Sequence, residues 1–311
     1  YTHPTWSHAV VSFPALHPGS FRHIVFPELA RRVTPIDFSA LDQISTQLNG
    51  SDAIGSAEDL EILGWILRQG GLNSEDYKPE TLVRRAPACL RTLRVGSMRE
   101  AKVLLERKRQ LITTAINALL IGVTGFFRDE PVFSALSRTT LPELTRRCPA
   151  PRIWSIGCSD GAELYSVAMI LADIGKLHRC ELLGTDCRAD AIAQAAEGIF
   201  EEGALKGLSP HLLARYFRNS GGTWRVDGGL RAMVRWRVSN ILRICEPMGW
   251  DMILCRNLAI YLRPTIADYL WHVLVAALLP GGYLVLGKAE RPPRSVALRE
   301  VAPCIFKRYG S

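Results

Sequence analysis

The segment RIWSIGCSDGAELYSVAMIL joins a strand pattern to a helical pattern through a turn of small residues. Gly157, Ser159 and Gly161 in that turn would allow backbone N–H groups to approach a ligand closely, as glycine-poor turns do not. The segment therefore favours a site for a nucleotide-like cofactor, although a tight turn without a ligand has the same pattern.

Polar residues also follow two later strand patterns. CELLGTD ends in Asp186, where an acidic residue can hydrogen-bond a ribose diol; the alternative is that Asp186 caps the helix RADAIAQAA. WDMILC is followed by Arg256, Asn257 and Tyr261. Because the carboxyl ends of parallel strands meet at one edge of a sheet, we expect these groups to line one crevice.

A hydrolase is the main chemical alternative, since Gly157 to Gly161 also fits the G-x-S-x-G nucleophile turn. Such an enzyme needs a histidine at a strand end, whereas the candidate His272 lies inside the helical pattern IADYLWHVLVAALL. No HG-type loop for an oxyanion hole precedes the strand either. The cofactor interpretation is therefore preferred.

The chain divides by pattern into three segments. Residues 1–35 are an irregular arm, 36–120 an all-α domain, and 121–311 an α/β domain with a doubly wound, mainly parallel sheet. Its strand candidates are RIWSIG, CELLGTD, VRWRVSN, WDMILCRN, GGYLVLGK and CIFKRYG. We expect an inserted antiparallel β-hairpin at about 218–237, turning at Asp227-Gly228-Gly229, and one long basic helix opened by a Ser97/Glu100 capping box.

Composition limits the function classes. The chain has 311 residues, 48% of them hydrophobic, and no apolar run of the ~20 residues that span a bilayer. Eight cysteines without a CxxC pair predict a reduced, cytoplasmic protein, and seven histidines without HxH or HExxH spacing give no support for a metal site. A net charge of +8 predicts an anionic partner, which could be nucleic acid, a membrane surface or an acidic protein.

At this point the sequence resembles the CheR family of chemoreceptor glutamate methyltransferases, over roughly residues 77–309. The resemblance is carried by several motifs in order: YKPETLVRR, GVTGFFRDEPVFSAL, WSIGCSDGAELYS, GTD with AIAQAAEGIF, LSPHLLARYF, RVSNIL, DMILCRNLAIYL, LLPGGYLVLGKAE and FKRY. It implies a Rossmann-like class I methyltransferase sheet with a small β-subdomain, preceded by an all-α domain. The implied cofactor is S-adenosyl-L-methionine, with S-adenosyl-L-homocysteine as product.

The resemblance also implies roles for individual residues. Arg128 and Tyr261 would stand closest to the transferred methyl group as catalytic residues. The cofactor-binding residues would be Thr124, Arg128 and Glu163 at the methionine end or acceptor pocket, Gly157 in the turn, Asp186 at the ribose, Asn240 and Ile241 at the adenine, and Asn257 and Leu258 along the cleft. No metal is implied.

The implied partner is an acidic protein, a chemoreceptor cytoplasmic domain, docked on the basic residues Lys78, Arg84, Arg85, Arg91 and Arg94, unless these form only a solvated face. A receptor C-terminal peptide would add a strand to the hairpin. Nucleic acid is disfavoured, because the Asn/Asp-Pro-Pro-aromatic turn of base methyltransferases is absent.

Two other functions remain open. One is a methyltransferase of the same fold acting on another carboxylate, of a small molecule or a non-receptor protein. The other is a catalytically weakened cofactor-binding module, suggested by Gly122 and Ala162, where the family often has polar residues.

Overall fold

The structure is a computed structural model that describes residues 55–120, 124–243 and 248–310. The predicted arm, the first predicted helix DFSALDQISTQL and Gly122 lie outside the described residues. No helix among the described residues is long and apolar enough to cross a membrane.

The first described part is helical. It consists of α1 (Ala57–Gln69), α2 (Pro79–Leu93), α3 (Met98–Arg107) and α4 (Ile112–Leu120), with 3-10 turns at Ser74–Asp76 and Arg109–Leu111. Helix α1 begins with a full capping box, because Ser56 accepts the Asp59 N–H and the Asp59 carboxylate accepts the Ser56 N–H.

The predicted long basic helix is wrong as a single helix, because it divides into α3 and α4. Residues 106–110 between their buried faces are all exposed, so no core packing holds that stretch in one continuous helix. Half of the predicted capping box is present at α3. Ser97 Oγ accepts the Glu100 N–H at 3.2 Å, but the Glu100 carboxylate accepts from Gly96 rather than from Ser97.

The second part alternates strands and helices. Its helices are α5 (Glu130–Ala135), α6 (Leu141–Arg147), α7 (Ala162–Asp173), α8 (Ala189–Glu197), α9 (Pro210–Tyr216), α10 (Gly228–Ala232) and α11 (Pro264–Ala277), with a π-helical turn at Leu136–Thr140 and 3-10 turns at Leu177–Arg179, Glu202–Leu205 and Ala259–Tyr261. Its strands are β1 (Arg152–Ile156), β2 (Glu181–Asp186), β3 (Ile199–Glu201), β4 (Phe217–Ser220), β5 (Thr223–Val226), β6 (Val234–Val238), β7 (Trp250–Cys255), β8 (Leu278–Leu286), β9 (Leu298–Ala302) and β10 (Ile305–Arg308).

The main sheet has the order β6-β2-β1-β7-β8-β10-β9 in the described part of the chain. Strands β6, β2, β1, β7 and β8 pair in parallel, and β10 and β9 are antiparallel. The six predicted strands are confirmed, and β9 is an additional edge strand. The strand order reverses between β1 and β7, which is the switch point where an open sheet forms its ligand crevice.

Both faces of the main sheet are buried. Along β1 and β7, Ile153 and Met252 join the core under α7, whereas Trp154 and Ile253 join a core on the other face. That second core also contains the apolar faces of α1 to α4 and α11. The helical part therefore packs directly on one face of the sheet.

The small antiparallel sheet has the order β3-β5-β4. The predicted turn at Asp227–Gly229 is wrong, because the hairpin turns at Gly221 and Gly222, with φ values of 61° and 87°. Two consecutive positive φ angles suit a two-residue hairpin turn, and glycine adopts them without steric cost.

The residues of the predicted turn cap a helix instead, since the Asp227 carboxylate accepts the Gly229 N–H at 2.9 Å at the start of α10. The predicted second arm, VRWRV, is β6, which pairs in parallel with β2 in the main sheet. The insertion therefore does not extend to residue 237 as predicted.

Candidate functional site

A cavity opens at the carboxyl ends of β1, β2, β6 and β7. All of the predicted site residues line it: Thr124, Arg128, Gly157, Glu163, Asp186, Asn240, Ile241, Asn257, Leu258 and Tyr261. The helical part supplies one wall, through Tyr77, Thr81, Leu82, Arg85, Leu119 and Leu120. The fold thus brings together residues that are separated by up to seven strands in sequence.

The turn after β1 forms the floor of this cavity. Gly157, Ser159 and Gly161 have φ values of 62°, 53° and 87°, so the chain folds back tightly before α7. A Cβ on Gly161 would lie 2.5 Å from the Trp236 ring, so a larger residue does not fit there. The turn is thus held in place by packing as well as by its glycines.

Asp186 ends β2 and is buried. Its carboxylate accepts the Ser159 N–H at 3.0 Å and forms an ion pair with Arg188 at 3.0 Å. Arg188, not Asp186, is the N-cap residue of α8, so the helix-cap alternative for Asp186 is wrong. Arg188 also donates to Ser159 Oγ at 3.1 Å and was not predicted as a site residue, since only the folded chain places it beside the turn.

Ser159 does not have the partners of a hydrolase nucleophile. No histidine lines the cavity in the described part of the chain. The candidate His272 lies on α11, 4.0 Å from Asp268. The hydrolase alternative therefore has no base for its serine.

Asn240 and Ile241 follow β6 on the side of the cavity next to the helical part. Asn240 Oδ1 accepts the Leu242 N–H at 3.1 Å, which fixes this turn. Buried Tyr77, Leu82 and Leu119 lie along the same cavity, so this end is largely apolar, as an adenine ring requires.

The loop after β7 is held by a residue that the sequence analysis did not assign to the site. The buried Glu290 carboxylate accepts four backbone N–H groups at 2.8–2.9 Å, from Asn257, Leu258, Ala259 and Gly287. Asn257 has a φ of 59°, in the left-handed region that asparagine adopts more readily than most residues with a side chain. The one available signal was an acidic residue four positions after an apolar strand.

Arg128 lies in a turn between α4 and α5, and both of its neighbours have positive φ, 51° at Phe127 and 66° at Asp129. The Phe127 N–H donates to Ser166 Oγ at 3.0 Å. On the other side, Arg256 donates to the Arg128 carbonyl at 2.8 Å. The backbone of Arg128 is thus held from two elements, α7 and β7.

Glu163 is bound within the protein. Its carboxylate accepts from Ser155 Oγ at 2.9 Å and from Arg256 Nη1 at 3.0 Å. Its predicted contact with the methionine part of a cofactor stays a prediction.

Tyr261 ends the 3-10 turn after β7 and is half-buried at the cavity. Its carbonyl accepts the Lys78 N–H at 2.9 Å, and the Lys78 ammonium donates to the Ile260 carbonyl at 3.0 Å. The helical part therefore fixes the loop that carries Tyr261.

The predicted basic docking surface is accordingly smaller than expected. The Lys78 ammonium donates a hydrogen bond to the Ile260 carbonyl, and the Arg85 guanidinium donates one to the Ala118 carbonyl. These two side chains are therefore not free docking residues. Arg84, Arg91 and Arg94 are exposed.

Burial and charge shift several pKa values at the site. Burial pushes the pKa of Asp129 up, but the hydrogen bond from Lys288 and the charges of Arg256, Lys288 and Arg128 outweigh it, so this pKa lies below its ordinary value. Burial raises the pKa of Asp160, and hydrogen bonds from the Ala162 N–H and the Thr124 hydroxyl offset this only in part. Burial chiefly raises the pKa of Cys187 to about 12, so this thiol stays neutral.

Comparison with known proteins decides the family. The model of a family described as "CheR methyltransferase, SAM binding domain" matches residues 122–304, more than half of the chain. The chain belongs to the CheR methyltransferase family. A "Chemotaxis protein methyltransferase 1" of Vibrio cholerae is 33% identical over 196 residues, covering 60% of this chain and 71% of that protein. The "Chemotaxis protein methyltransferase" of Salmonella typhimurium is 30% identical over 262 residues, 81% of this chain and 90% of that protein.

A third relative is longer. An "Uncharacterized 104.1 kDa protein" of Rhodobacter capsulatus is 29% identical over 259 residues, which cover 81% of this chain but 27% of that protein.

Family membership confirms the class I methyltransferase fold and S-adenosylmethionine as cofactor, and it supports S-adenosylmethionine-dependent methylation as the activity. The donor set of the cavity fits this cofactor. A carboxylate ends β2, a tight turn follows β1, and the wall beside Asn240 is apolar, which are the features that hold a ribose, a close backbone contact and an adenine ring. Among the described residues no group of histidine, cysteine and acidic side chains is arranged to hold a metal ion.

Proposed function

We propose that this CheR-family protein methylates glutamate side-chain carboxylates of chemoreceptor-like proteins and forms methyl esters. One observation carries the proposal. Both carboxylates that line the cavity are ion-paired, Glu163 with Arg256 and Asp186 with Arg188, and no histidine lines it in the described chain. The site therefore offers no side chain suited to remove a proton from an acceptor.

A carboxylate acceptor needs no such base. A glutamate with an ordinary pKa near 4.3 is already ionised at neutral pH, whereas a protonated amine has to lose a proton before it can attack. When bound, S-adenosylmethionine supplies an activated methyl group on a sulfonium. An acceptor carboxylate oxygen held beside it would receive this methyl group, and the electron pair of the broken carbon–sulfur bond would stay on the sulfur of S-adenosylhomocysteine.

The protein's contribution is positioning and exclusion of water. We assign Arg128 to the acceptor carboxylate, which its guanidinium binds through two parallel hydrogen bonds, and Tyr261 to the orientation of the same group. In this proposal Asp186 binds the ribose, and Asn240 and Ile241 flank the adenine. Asn257 and Leu258 line the cleft between them. Thr124, Gly157 and Glu163 complete the cofactor site.

The acceptor is proposed to be an acidic protein segment. Arg84 and Arg91 are exposed seven residues apart, on one face of α2, and Arg94 is exposed at the C-terminal end of that helix. A receptor coiled coil with acidic residues beside its methylated glutamates would be complementary to that face.

A receptor C-terminal peptide is proposed to bind the small sheet. Because β5 is its central strand, β3 and β4 are its edges, and Arg218, Asn219 and Ser220 of β4 are exposed. A peptide strand added to an edge gains main-chain hydrogen bonds. Titration with a labelled receptor C-terminal peptide tests this docking, and a lack of saturable binding would refute it without affecting the methylation proposal.

The decisive experiment is incubation with radiolabelled S-adenosylmethionine and membranes containing chemoreceptors, followed by alkaline release of methanol. Base-labile label on a receptor-sized band is the expected result. If no label appears while calorimetry still detects S-adenosylhomocysteine binding, the acceptor is another carboxylate or the protein is a cofactor-binding module.

The catalytic assignment is tested with Arg128→Ala. The turnover number should fall at least about 10²-fold, because a preorganised cationic contact at the reacting group is lost. Binding of S-adenosylhomocysteine should remain measurable. Arg138→Ala, at an exposed arginine of the π-helical turn, is the matched control and should keep its activity. An active Arg128→Ala variant would refute the assignment.

A further inference from the structure

Arg256 ends the buried run of β7 and lies against the turn that carries Arg128. Its side chain is only 2% exposed, although burying a charged group away from water is costly. A charged side chain so deeply buried must be compensated by fixed partners. The partners of Arg256 therefore indicate its purpose.

Two of those partners, Arg128 and Glu163, line the proposed catalytic site, and the third, Asp129, is the neighbour of Arg128. Arg256 Nη2 donates to the Arg128 carbonyl at 2.8 Å and to Asp129 Oδ2 at 2.6 Å, and Nη1 donates to Glu163 Oε2 at 3.0 Å. One guanidinium thus joins the turn around Arg128 to the first turn of α7. Its carbon also lies 5.3 Å from the centre of the Phe133 ring, so α5 restrains it as well.

The turn needs this restraint. Phe127 and Asp129, on either side of Arg128, both have positive φ, which residues with a side chain rarely adopt unless the surroundings hold them. The bond from Arg256 reaches the carbonyl between these two residues. The contact therefore acts on the backbone from which the Arg128 side chain starts.

Both terminal nitrogens of Arg256 make at least one of these contacts, and the same side chain also lines the cavity. Asp129 is also shared with Lys288, whose Nζ lies 3.1 Å from its other oxygen. The charges therefore form a chain from Lys288 through Asp129 and Arg256 to Glu163, with Arg256 as its buried centre.

We propose that Arg256 is a positioning residue that sets the catalytic geometry of Arg128 by clamping residues 128 and 129 to Glu163. This inference rests on the proposed role of Arg128. Lysine cannot replace the guanidinium, because its donors all lie on one nitrogen and cannot serve three separated acceptors in one plane.

The test uses Arg256→Lys and Asp129→Asn in the receptor methylation assay. Arg256→Lys should lower kcat by about 10²-fold, the cost of an ångström-scale displacement of a catalytic group. Asp129→Asn weakens only the side of the clamp next to Arg128, leaves Glu163 in place, and should lower kcat by roughly 10-fold with an unchanged Kd for S-adenosylhomocysteine. In the double variant, the fold-loss of kcat should be smaller than the product of the two single fold-losses, because both changes break the same network.

The matched control is Arg152→Lys. Arg152 also pairs with a carboxylate, Glu181 at 3.1 Å, and stacks on Trp250. It lies at the amino-terminal end of β1, whereas the cavity is at the carboxyl ends of the strands. It should keep its kcat. Hydrogen exchange of residues 125–130 gives a readout that needs no acceptor, and exchange there should accelerate in Arg256→Lys but not in Arg152→Lys.

The outcomes are separable. If Arg128→Ala is inactive while Arg256→Lys and Asp129→Asn keep kcat within about twofold, the positioning role is refuted and the proposed function stands. If the membranes give no label at all, unchanged exchange at residues 125–130 still refutes the clamp, and accelerated exchange supports it. Should Arg256→Lys not fold, Asp129→Asn decides alone by its kcat and exchange.

Discussion

The Glu290→Gln variant tests whether one buried carboxylate holds the cofactor loop. Glu290 Oε1 accepts the N–H groups of Leu258 and Ala259, and Oε2 accepts those of Asn257 and Gly287, all at 2.8–2.9 Å. Glutamine keeps one oxygen and turns an NH2 group towards the other two N–H donors. Two hydrogen bonds to a charged acceptor are therefore lost and two donors are left facing a donor.

The expected cost follows from these numbers. Hydrogen bonds to charged groups contribute about 1.5–3 kcal/mol each, so two of them amount to about 3–6 kcal/mol. Because the loop can relax, we expect the lower end of this range, a fall of ~3 kcal/mol in the free energy of unfolding. This is a large part of the roughly 5–15 kcal/mol that stabilises a typical domain. Because Asn257 and Leu258 line the cavity, affinity for S-adenosylhomocysteine should fall about 10-fold or more as well, a loss equivalent to 1.4 kcal/mol.

The assay is equilibrium urea unfolding, with calorimetric titration of S-adenosylhomocysteine. Glu300→Gln is the matched control, because exposed Glu300 accepts a single N–H, from Cys304 at 3.1 Å. That variant should change the free energy of unfolding by no more than ~1 kcal/mol. If Glu290→Gln lies within ~1 kcal/mol of the wild type, the reasoning about the four N–H groups is wrong.

Two further changes test the packing and the charge around the cavity. Gly184→Ala places a Cβ 2.4 Å from the Trp236 ring and should cost about 1–3 kcal/mol in urea unfolding, whereas Gly203→Ala, with open space around its Cβ, should cost less; equal costs would contradict the close packing. Asp160→Asn should raise the Tm of the cofactor-free protein at neutral pH by about 2 °C, the shift that ~1 kcal/mol gives in a domain of this size. Burial raises the pKa of Asp160, so ionisation of this carboxyl destabilises the folded state above that pKa. The gain from Asp160→Asn should therefore shrink as the pH falls and the wild-type carboxyl takes up its proton, and a Tm difference that grows towards acid pH would contradict the argument.

Local sequence was sufficient for six strands of the main sheet and for the cavity residues that follow them. Strand patterns such as CELLGTD and WDMILCRN are apolar runs that end abruptly in polar residues, and the six predicted strands are present. Because parallel strands place their carboxyl ends together, residues after separate strands, such as Asp186 and Asn257, had to share one crevice. Asp186, Asn257 and Tyr261 line the cavity for this reason, whereas Thr124, Arg128 and Glu163, which the family resemblance implied, line it without following a strand.

Local sequence was insufficient where two turn signals competed. Gly221-Gly222 and Asp227-Gly228-Gly229 both suit a reversal of the chain, and only the pairing of β4 with β5 determines that the first is the hairpin turn. VRWRV has the pattern of a strand in either sheet, and its place beside β2 depends on Trp236 lying over Gly184, a contact between distant residues.

The sequence by itself thus determined the six predicted strands, the cofactor crevice and the family, because these depend on short patterns and on the geometry of parallel strands. The tertiary structure alone decided how the site is held. Glu290 and Arg256 bind backbone and side-chain groups more than 30 residues away in sequence. The Lys78 ammonium donates to the Ile260 carbonyl in the loop of Tyr261 and not to a partner protein. A charged side chain has the same local pattern whether it faces solvent or a buried acceptor, so its partner appears only when the chain is folded.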